Sequence, residues 1–226
     1  MKTAEEDTLP IEWVDFTVQG LSPVNCQARS GESLVFFSSD PTLSQRFQSD
    51  SLGWSRSLKG HCLIHGKDLS EFNEDERLKK MLQIGSIEKG GGFLSNLCVW
   101  ENLLLPYSYQ NQTTSRANLG LLHKHLDRFG LDESELERDL TRRVDQLPDT
   151  RKILYAFVRE SLLQPRIWSL HNALDDLPTK GLKQSLAIIS KLASESPESV
   201  WVIHTCEEQV AESFKSKKLI HLEESN

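Results

Sequence analysis

His171 and Asn172 follow a short apolar run, Ile167-Trp168-Ser169-Leu170. They stand where an open α/β sheet places its chemistry, just past the carboxyl end of a buried strand. An imidazole there can act as acid, base or metal ligand, and an amide can orient a water. Neither residue is a carboxylate, and the blander reading is a histidine satisfied by hydrogen bonds within the fold. A second candidate is Ser38-Ser39-Asp40-Pro41-Thr42-Leu43-Ser44-Gln45-Arg46, which follows the apolar run Ser33 to Phe37. Asp40 caps a helix that Pro41 opens, so the order is strand, tight turn, helix, the context of a phosphate loop. That chemistry needs converging N–H groups, a lysine and a hydroxyl for magnesium. Pro41 has no N–H, Ser44 no charge, and Asp40 puts a carboxylate at the helix end that would hold an anion.

Weaker candidates fall away on spacing. Gly66-Lys67 is a lone turn with Asp68 in place of a hydroxyl. His123 and His125 are two apart and face different sides of a helix, so they form no metal pair. Asp175-Asp176 is an adjacent carboxylate pair that reads as a solvated turn. Cys26, Cys62, Cys98 and Cys206 show no CxxC spacing, which suits reduced thiols rather than a zinc or disulfide framework.

The elements that position these residues are read from periodicity. Asp149 to Leu163 is a helix with its apolar stripe on Ile153, Leu154, Phe157, Val158 and Leu162, ended before Pro165. It feeds the strand Arg166 to Leu170, short and apolar enough to be covered on both faces. Ile11 to Val18 reads as a strand whose alternation is imperfect, and Gly60 to Ile64, Ile84 to Ile87, Val200 to Ile203 and Lys217 to Leu222 as further strands, the last at an edge. Asn73 to Leu82, Val99 to Leu105 ended by Pro106, Thr113 to Gly130, Asp132 to Val144 and Leu182 to Leu192 read as helices. Asp132 to Glu135 resembles a capping box, with Glu133, Glu137 and Asp139 on a solvated acidic face. Gly90-Gly91-Gly92 reads as a mobile loop before the exposed pair Phe93-Leu94.

The chain has 226 residues, 38 % hydrophobic, enough for one substantial core. A net charge of −7 excludes a general nucleic-acid binder, which needs a basic footprint. Met1 to Asp7 is polar and acidic without an apolar signal core, and no run approaches a membrane span, so any membrane contact is expected through a partner.

In order along the chain, Gly31-Glu32, the strand and helix after it, Gly66-Lys67-Asp68-Leu69, Ile84-Gly85-Ser86-Ile87, and Phe93 through Glu101-Asn102-Leu103-Leu104-Leu105-Pro106 resemble the ATP-binding cassette of ABC transporters, nearest to importer-type and lipid-transport (Mla-like) cassettes. The resemblance covers roughly residues 11–222. It implies an α/β fold of the P-loop NTPase type: one domain over 1–226, with a RecA-type core, an antiparallel β subdomain and an α-helical subdomain at approximately 106–150.

The catalytic motifs of that family do not survive the alignment. The Walker A loop falls on Ser38 to Arg46, with Ser44 at the lysine. The Q-loop glutamine falls on Lys89, and the signature on Leu147 to Arg151, where Asp149 takes a capping position. Arg159 and Pro165 match the family pattern. The Walker B aspartate and catalytic glutamate fall on His171 and Asn172, the D-loop aspartate on Pro178, and the switch histidine on Thr205, beside His204. An amide cannot accept the proton of a water, and general-base help is typically worth ~10²- to 10⁴-fold. The resemblance therefore implies a pseudo-ATPase with no cofactor and no metal, serving as a structural or regulatory subunit of a membrane transport complex. Its partners would be a transmembrane permease or a second cassette, in a dimer, with no nucleic acid. The interface would lie at Phe93, Leu94, Asn96, Trp100 and Tyr107, and the chain would sit in the cytoplasm, peripheral at the inner face of the membrane. Two other readings stay open: a divergent ATPase that binds ATP and magnesium to drive transport, and a free-standing dimeric scaffold.

Overall fold

The computed structural model describes residues 10–52, 59–81, 83–127, 129, 131, 133–214 and 217–225. Met1 to Asp7 and Asp132, with its capping-box expectation, lie outside them.

The strands are β1 (Ile11–Thr17), β2 (Val24–Ala28), β3 (Ser33–Phe37), β4 (Lys59–Ile64), β5 (Lys67–Asp68), β6 (Ile84–Glu88), β7 (Ile167–His171), β8 (Val200–Thr205) and β9 (Lys217–His221). The helices are α1 (Pro41–Asp50), α2 (Glu74–Met81), α3 (Val99–Gln110), α4 (Leu119–Asp127), α5 (Glu133–Leu140), α6 (Asp149–Ser161), α7 (Thr179–Glu195) and α8 (Glu208–Ser213). Among the described residues they build two sheets, an antiparallel one in the order β2-β1-β4-β5 and a parallel one in the order β6-β7-β8-β3-β9. This is the α/β architecture, a parallel sheet flanked by helices with an antiparallel β subdomain, that the resemblance implies.

Both faces of the parallel sheet are covered at its central strands β7, β8 and β3, which are apolar without a polar alternation, whereas the edge strand β9 is largely exposed. On one face Leu34, Phe36, Val200 and Val202 pack with α1 and the antiparallel sheet. On the other, Val35, Trp168, Leu170, Trp201 and Ile203 pack with α6, α7 and α8. Helix α6 is buried all round from Ile153 to Ser161 because it lies between two cores. Its Ile153, Ala156 and Phe157 meet the sheet, while Tyr155 and Val158 meet α3, α4 and α5.

The imperfect alternation of β1 has a local cause. Its register slips between Trp13 and Phe16, and Asp15 takes a positive φ of 47°. The Asn25 side chain holds the slip by bonding both the Asp15 amide (2.7 Å) and its carboxylate (3.0 Å). Trp13 and Phe16 can then both face the core, each 1 % exposed. Gly60 lies opposite with φ +82°, where a Cβ would meet the Asp15 carbonyl oxygen at 2.1 Å.

Three expectations are corrected. Pro106 does not end its helix: α3 runs on to Gln110 with Pro106 inside it. The glycine run is not an open loop but a 3₁₀ turn over Lys89–Gly91, held by Arg159 donating to the Gly92 carbonyl at 2.7 Å. A Cβ on Gly91 would strike the Phe93 ring at 2.3 Å. Asp139 is not solvated: it is 4 % exposed and accepts from Arg151 Nε (2.9 Å) and Tyr155 Oη (3.1 Å), tying α5 to α6.

Asn102, quoted above only as part of the resembling Glu101–Pro106 run, organises the start of α3. Its Oδ1 accepts from the Leu94 amide at 2.8 Å, and its Nδ2 lies 3.0, 3.3 and 3.1 Å from the carbonyls of Leu94, Leu97 and Cys98. Asn102→Ala removes these part-buried bonds to the Leu94, Leu97 and Cys98 backbone, and the expected loss is about 2 kcal/mol of unfolding free energy, measured as a lowered urea midpoint at unchanged slope.

Candidate functional site

The parallel strands place Glu88, His171, His204 and Phe36 in one row across β6, β7, β8 and β3, on the face that α1 covers. His171 is thus the last residue of β7 and not a loop residue beyond it. The rings of Phe36, His204 and His171 stack at centroid distances of 5.2 and 5.1 Å, with planes 18° and 8° apart. His171 is 5 % exposed and His204 1 %. His171 Nε2 shares a hydrogen bond with Ser169 Oγ (2.9 Å), and His204 Nε2 with Ser51 Oγ (3.4 Å), while both Nδ1 atoms are buried without a partner. Burial lowers the His171 pKa from 6.5 to about 4. It also holds His204 well below the ordinary value, with His171 adding like-charge repulsion. Both rings are therefore neutral near pH 7.

One residue on, Asn172 joins three elements. Its amide donates to the His204 carbonyl (3.0 Å), its Oδ1 accepts from Ser44 Oγ (3.2 Å), and its Nδ2 donates to Cys206 Sγ (3.3 Å). Asn172 sits at φ 50°, a region that asparagine tolerates through its short polar side chain. Asp40 caps α1 as expected, its Oδ1 accepting from the Thr42 amide at 2.7 Å, and the Asp40 amide donates to Ser38 Oγ at 3.1 Å. Ser38, Leu43 and Ser44 are buried, and Ser39, Pro41, Thr42, Gln45 and Arg46 are exposed. Leu43 belongs to the core beneath the sheet.

Asp175 and Asp176 are not a solvated pair. Asp175 is 7 % exposed and accepts from Thr205 Oγ1 and from the Cys206 amide (2.9 Å). Burial raises its pKa against those bonds. Asp176 is exposed: its carboxylate pairs with Lys89, and its amide donates to Glu207 Oε1. Lys89, His171, Asn172 and Thr205 thus gather at one end of the sheet with Ser44. Asp149 belongs to a different neighbourhood. It is the first residue of α6 rather than its cap, which is Pro148, and its carboxylate accepts from Lys152 at 2.9 Å instead of from the helix amides. Proline at the cap has no side-chain acceptor to offer.

Around the start of α3, Leu94 is 50 % exposed and Asn96 is exposed, whereas Trp100 and Tyr107 are half-buried. Phe93 packs under the Arg159 guanidinium, 4.7 Å from its ring centroid. Leu105 and Tyr109, 40 % and 64 % exposed, extend the apolar surface along α3. A groove of about 590 Å³ opens there between Trp100, Arg116, Leu119, His123, Glu137 and Leu140. Among the described residues no three histidine, cysteine or acidic side chains are grouped for a metal, and no helix is long and apolar enough to cross a membrane.

Because folding favours the neutral imidazoles, their contribution to stability is complete above pH 6.5 and is lost as pH falls toward the folded value. For His171 the expected loss between pH 7.5 and pH 5 is about 2 kcal/mol. Urea midpoints at the two pH values should fall less for His171→Gln than for the unaltered chain; equal falls would contradict the neutral, buried assignment.

No family model matches the sequence. Over 165 residues, 73 % of this chain, it is 25 % identical to the macrolide export ATP-binding/permease protein MacB of Bdellovibrio bacteriovorus, and it spans about a quarter of that relative's length, 24 %. Its structure is similar to a bacterial ABC transporter cassette, MJ0796, in a dimeric structure (TM-score 0.76, 18 % identity, 93 % of this chain and 94 % of that one). It is also similar to CbiO1 of Clostridium perfringens, part of an ABC transporter complex (TM-score 0.73, 13 % identity, 96 % and 88 %). The chain has the fold of the ATP-binding cassettes of ABC transporters.

Proposed function

We propose that the chain is a cassette-like subunit that does not hydrolyse ATP and serves a structural or regulatory role in a membrane transport complex. The carrying observation is the bond between Ser44 Oγ and Asn172 Oδ1. In the resembling family these positions hold a lysine that binds phosphate and a glutamate that handles the attacking water. Here a hydroxyl and an amide satisfy each other, with no charge to offer a phosphate and no base to offer a water. Asp40, bonded to the first turn of α1, adds a carboxylate where the nucleotide would bring its anions. His171, neutral and stacked, is a poor ligand for a hard cation such as magnesium. The residues present do not fit Mg-ATP.

The partnership follows from the relatives. MJ0796 is described as dimeric and, in a second structure, as bound to ADP and Pi, and MacB joins an ATP-binding part to a permease. On that basis this chain pairs with a second cassette or docks on a permease at the inner face of a membrane, presenting Phe93, Leu94, Asn96, Trp100 and Tyr107. The exposed Leu94, Leu105 and Tyr109 support a covered surface there.

Isothermal calorimetry of the full chain with millimolar Mg-ATP should show no saturable heat, and phosphate release should stay at the level of buffer. Saturable binding together with turnover that His171→Ala or His204→Ala abolishes would replace this reading with that of a divergent ATPase.

A further inference from the structure

Beyond the question of nucleotide, the turns after β6, β7 and β8 are joined by side chains that the fold alone does not require. We propose that Asp175 and Asp176 form an internal latch that makes these three turns one immobile unit, so that the turn after β8 keeps a single position whatever approaches that end of the sheet.

The inner part is Asp175. Each of its two carboxylate oxygens meets a donor thirty residues further along the chain, one the Thr205 hydroxyl and the other the Cys206 amide. Thr205 is itself buried and accepts from the Glu207 amide at 3.1 Å, so the carboxylate sets the direction in which the chain leaves β8 for α8. The outer part is Asp176. Its amide reaches back to Glu207 Oε1, and its carboxylate holds Lys89 at the end of β6. Asn172 closes the other side, bonding the His204 carbonyl and Cys206 Sγ. Within this short turn both Asn172 and Asp176 have positive φ, 50° and 61°. Such conformations persist where the surroundings over-determine them, and five bonds to the end of β8 and the turn after it do so here.

Magnitudes place the weight on Asp175. The Lys89–Asp176 pair is exposed on both sides, 61 % and 72 %, and solvent screening leaves such pairs with little to contribute. Asp175 is buried, and removing it takes the acceptor from the Cys206 N–H and leaves the Thr205 hydroxyl only its contacts with the Glu207 backbone. A turn held this way has little local opening of its own. The chain at that end of the sheet behaves as a fixed platform rather than as a moving part.

Hydrogen exchange of the full chain, read by mass spectrometry, tests this. Asp175→Ala should speed exchange roughly tenfold or more over residues 205–213 and 172–178 while β3 and β7 stay slow. Asp176→Ala, which removes the carboxylate that holds Lys89, should speed residues 89–92 by a smaller factor, and Glu207→Ala, which removes the acceptor of the Asp176 amide, should speed residues 207–213. In the unaltered chain, millimolar Mg-ATP should leave residues 205–213 unchanged. Calorimetry and phosphate release on the same samples separate the two proposals: nucleotide binding with turnover and unchanged exchange overturns the non-hydrolysing reading and leaves the latch standing. Unchanged exchange at 205–213 in Asp175→Ala, acceleration spread evenly over the whole chain, or a response of that segment to Mg-ATP would overturn the latch. Should Asp175→Ala fail to fold, Glu207→Ala decides the matter, since it removes the acceptor of the Asp176 amide at a partly exposed position; acceleration at 172–178 and 207–213 supports the latch, and its absence overturns it.

Discussion

The constraint on which this structure rests is the burial of uncharged rings at the functional end of a parallel sheet. Phe36, His204 and His171 lie in register on three adjacent strands and stack under α1. An aspartate or a protonated imidazole in that row would need a counter-charge, because a lone ion in a desolvated layer costs far more than its neighbours return. The row instead uses aromatic planes that pack as apolar surface, its two imidazoles each sharing Nε2 with a serine. The neutral site and the sound core are therefore one and the same arrangement. The absence of charge from these buried rings is tied to what keeps the strands together.

Around that row, polar side chains that would face a ligand in an open site bond to one another. Ser44, Asn172 and Cys206 form one chain of contacts, and Asp175, Thr205 and Glu207 another. Between them they link α1, the turn after β7 and the turn after β8. Buried polar groups that find partners inside the fold give it rigidity and specificity at little net cost, whereas the same groups left half-satisfied would weaken it.

Much of the frame was legible because it depends on local rules. Asp40 and Pro41 start α1 through capping chemistry that acts within four residues, and the apolar runs at Ile167 and Val200 carry no alternation because both faces are covered. What escaped depends on long-range partners. Asp139 and Asp175 read as surface acids, and nothing within ten residues reveals that Arg151 with Tyr155, or Thr205 with Cys206, wait for them. Pro106 reads as a helix stop, yet α3 continues because its flanks pack into the helical core through Leu103, Leu104 and Tyr107. Asp149 reads as a cap because it opens an apolar stripe, but Pro148 takes that position and leaves the acid to Lys152. The imperfect alternation of Ile11 to Val18 did carry a signal, the one-residue slip at Asp15, which only its partner Asn25 makes intelligible.

The register of the antiparallel sheet also settles the fate of two thiols. Cys26 and Cys62 oppose Trp13 from either side, on β2 and β4. Two strand spacings of roughly 4.8 Å separate their backbones, well beyond the ~7 Å that a cystine bridge allows. Burial also holds both in the protonated, unreactive form, Cys26 pushed up to about 12. The sulfur atoms thus serve as small apolar filler on either side of an indole, and an oxidant meeting this protein finds no pair there to join.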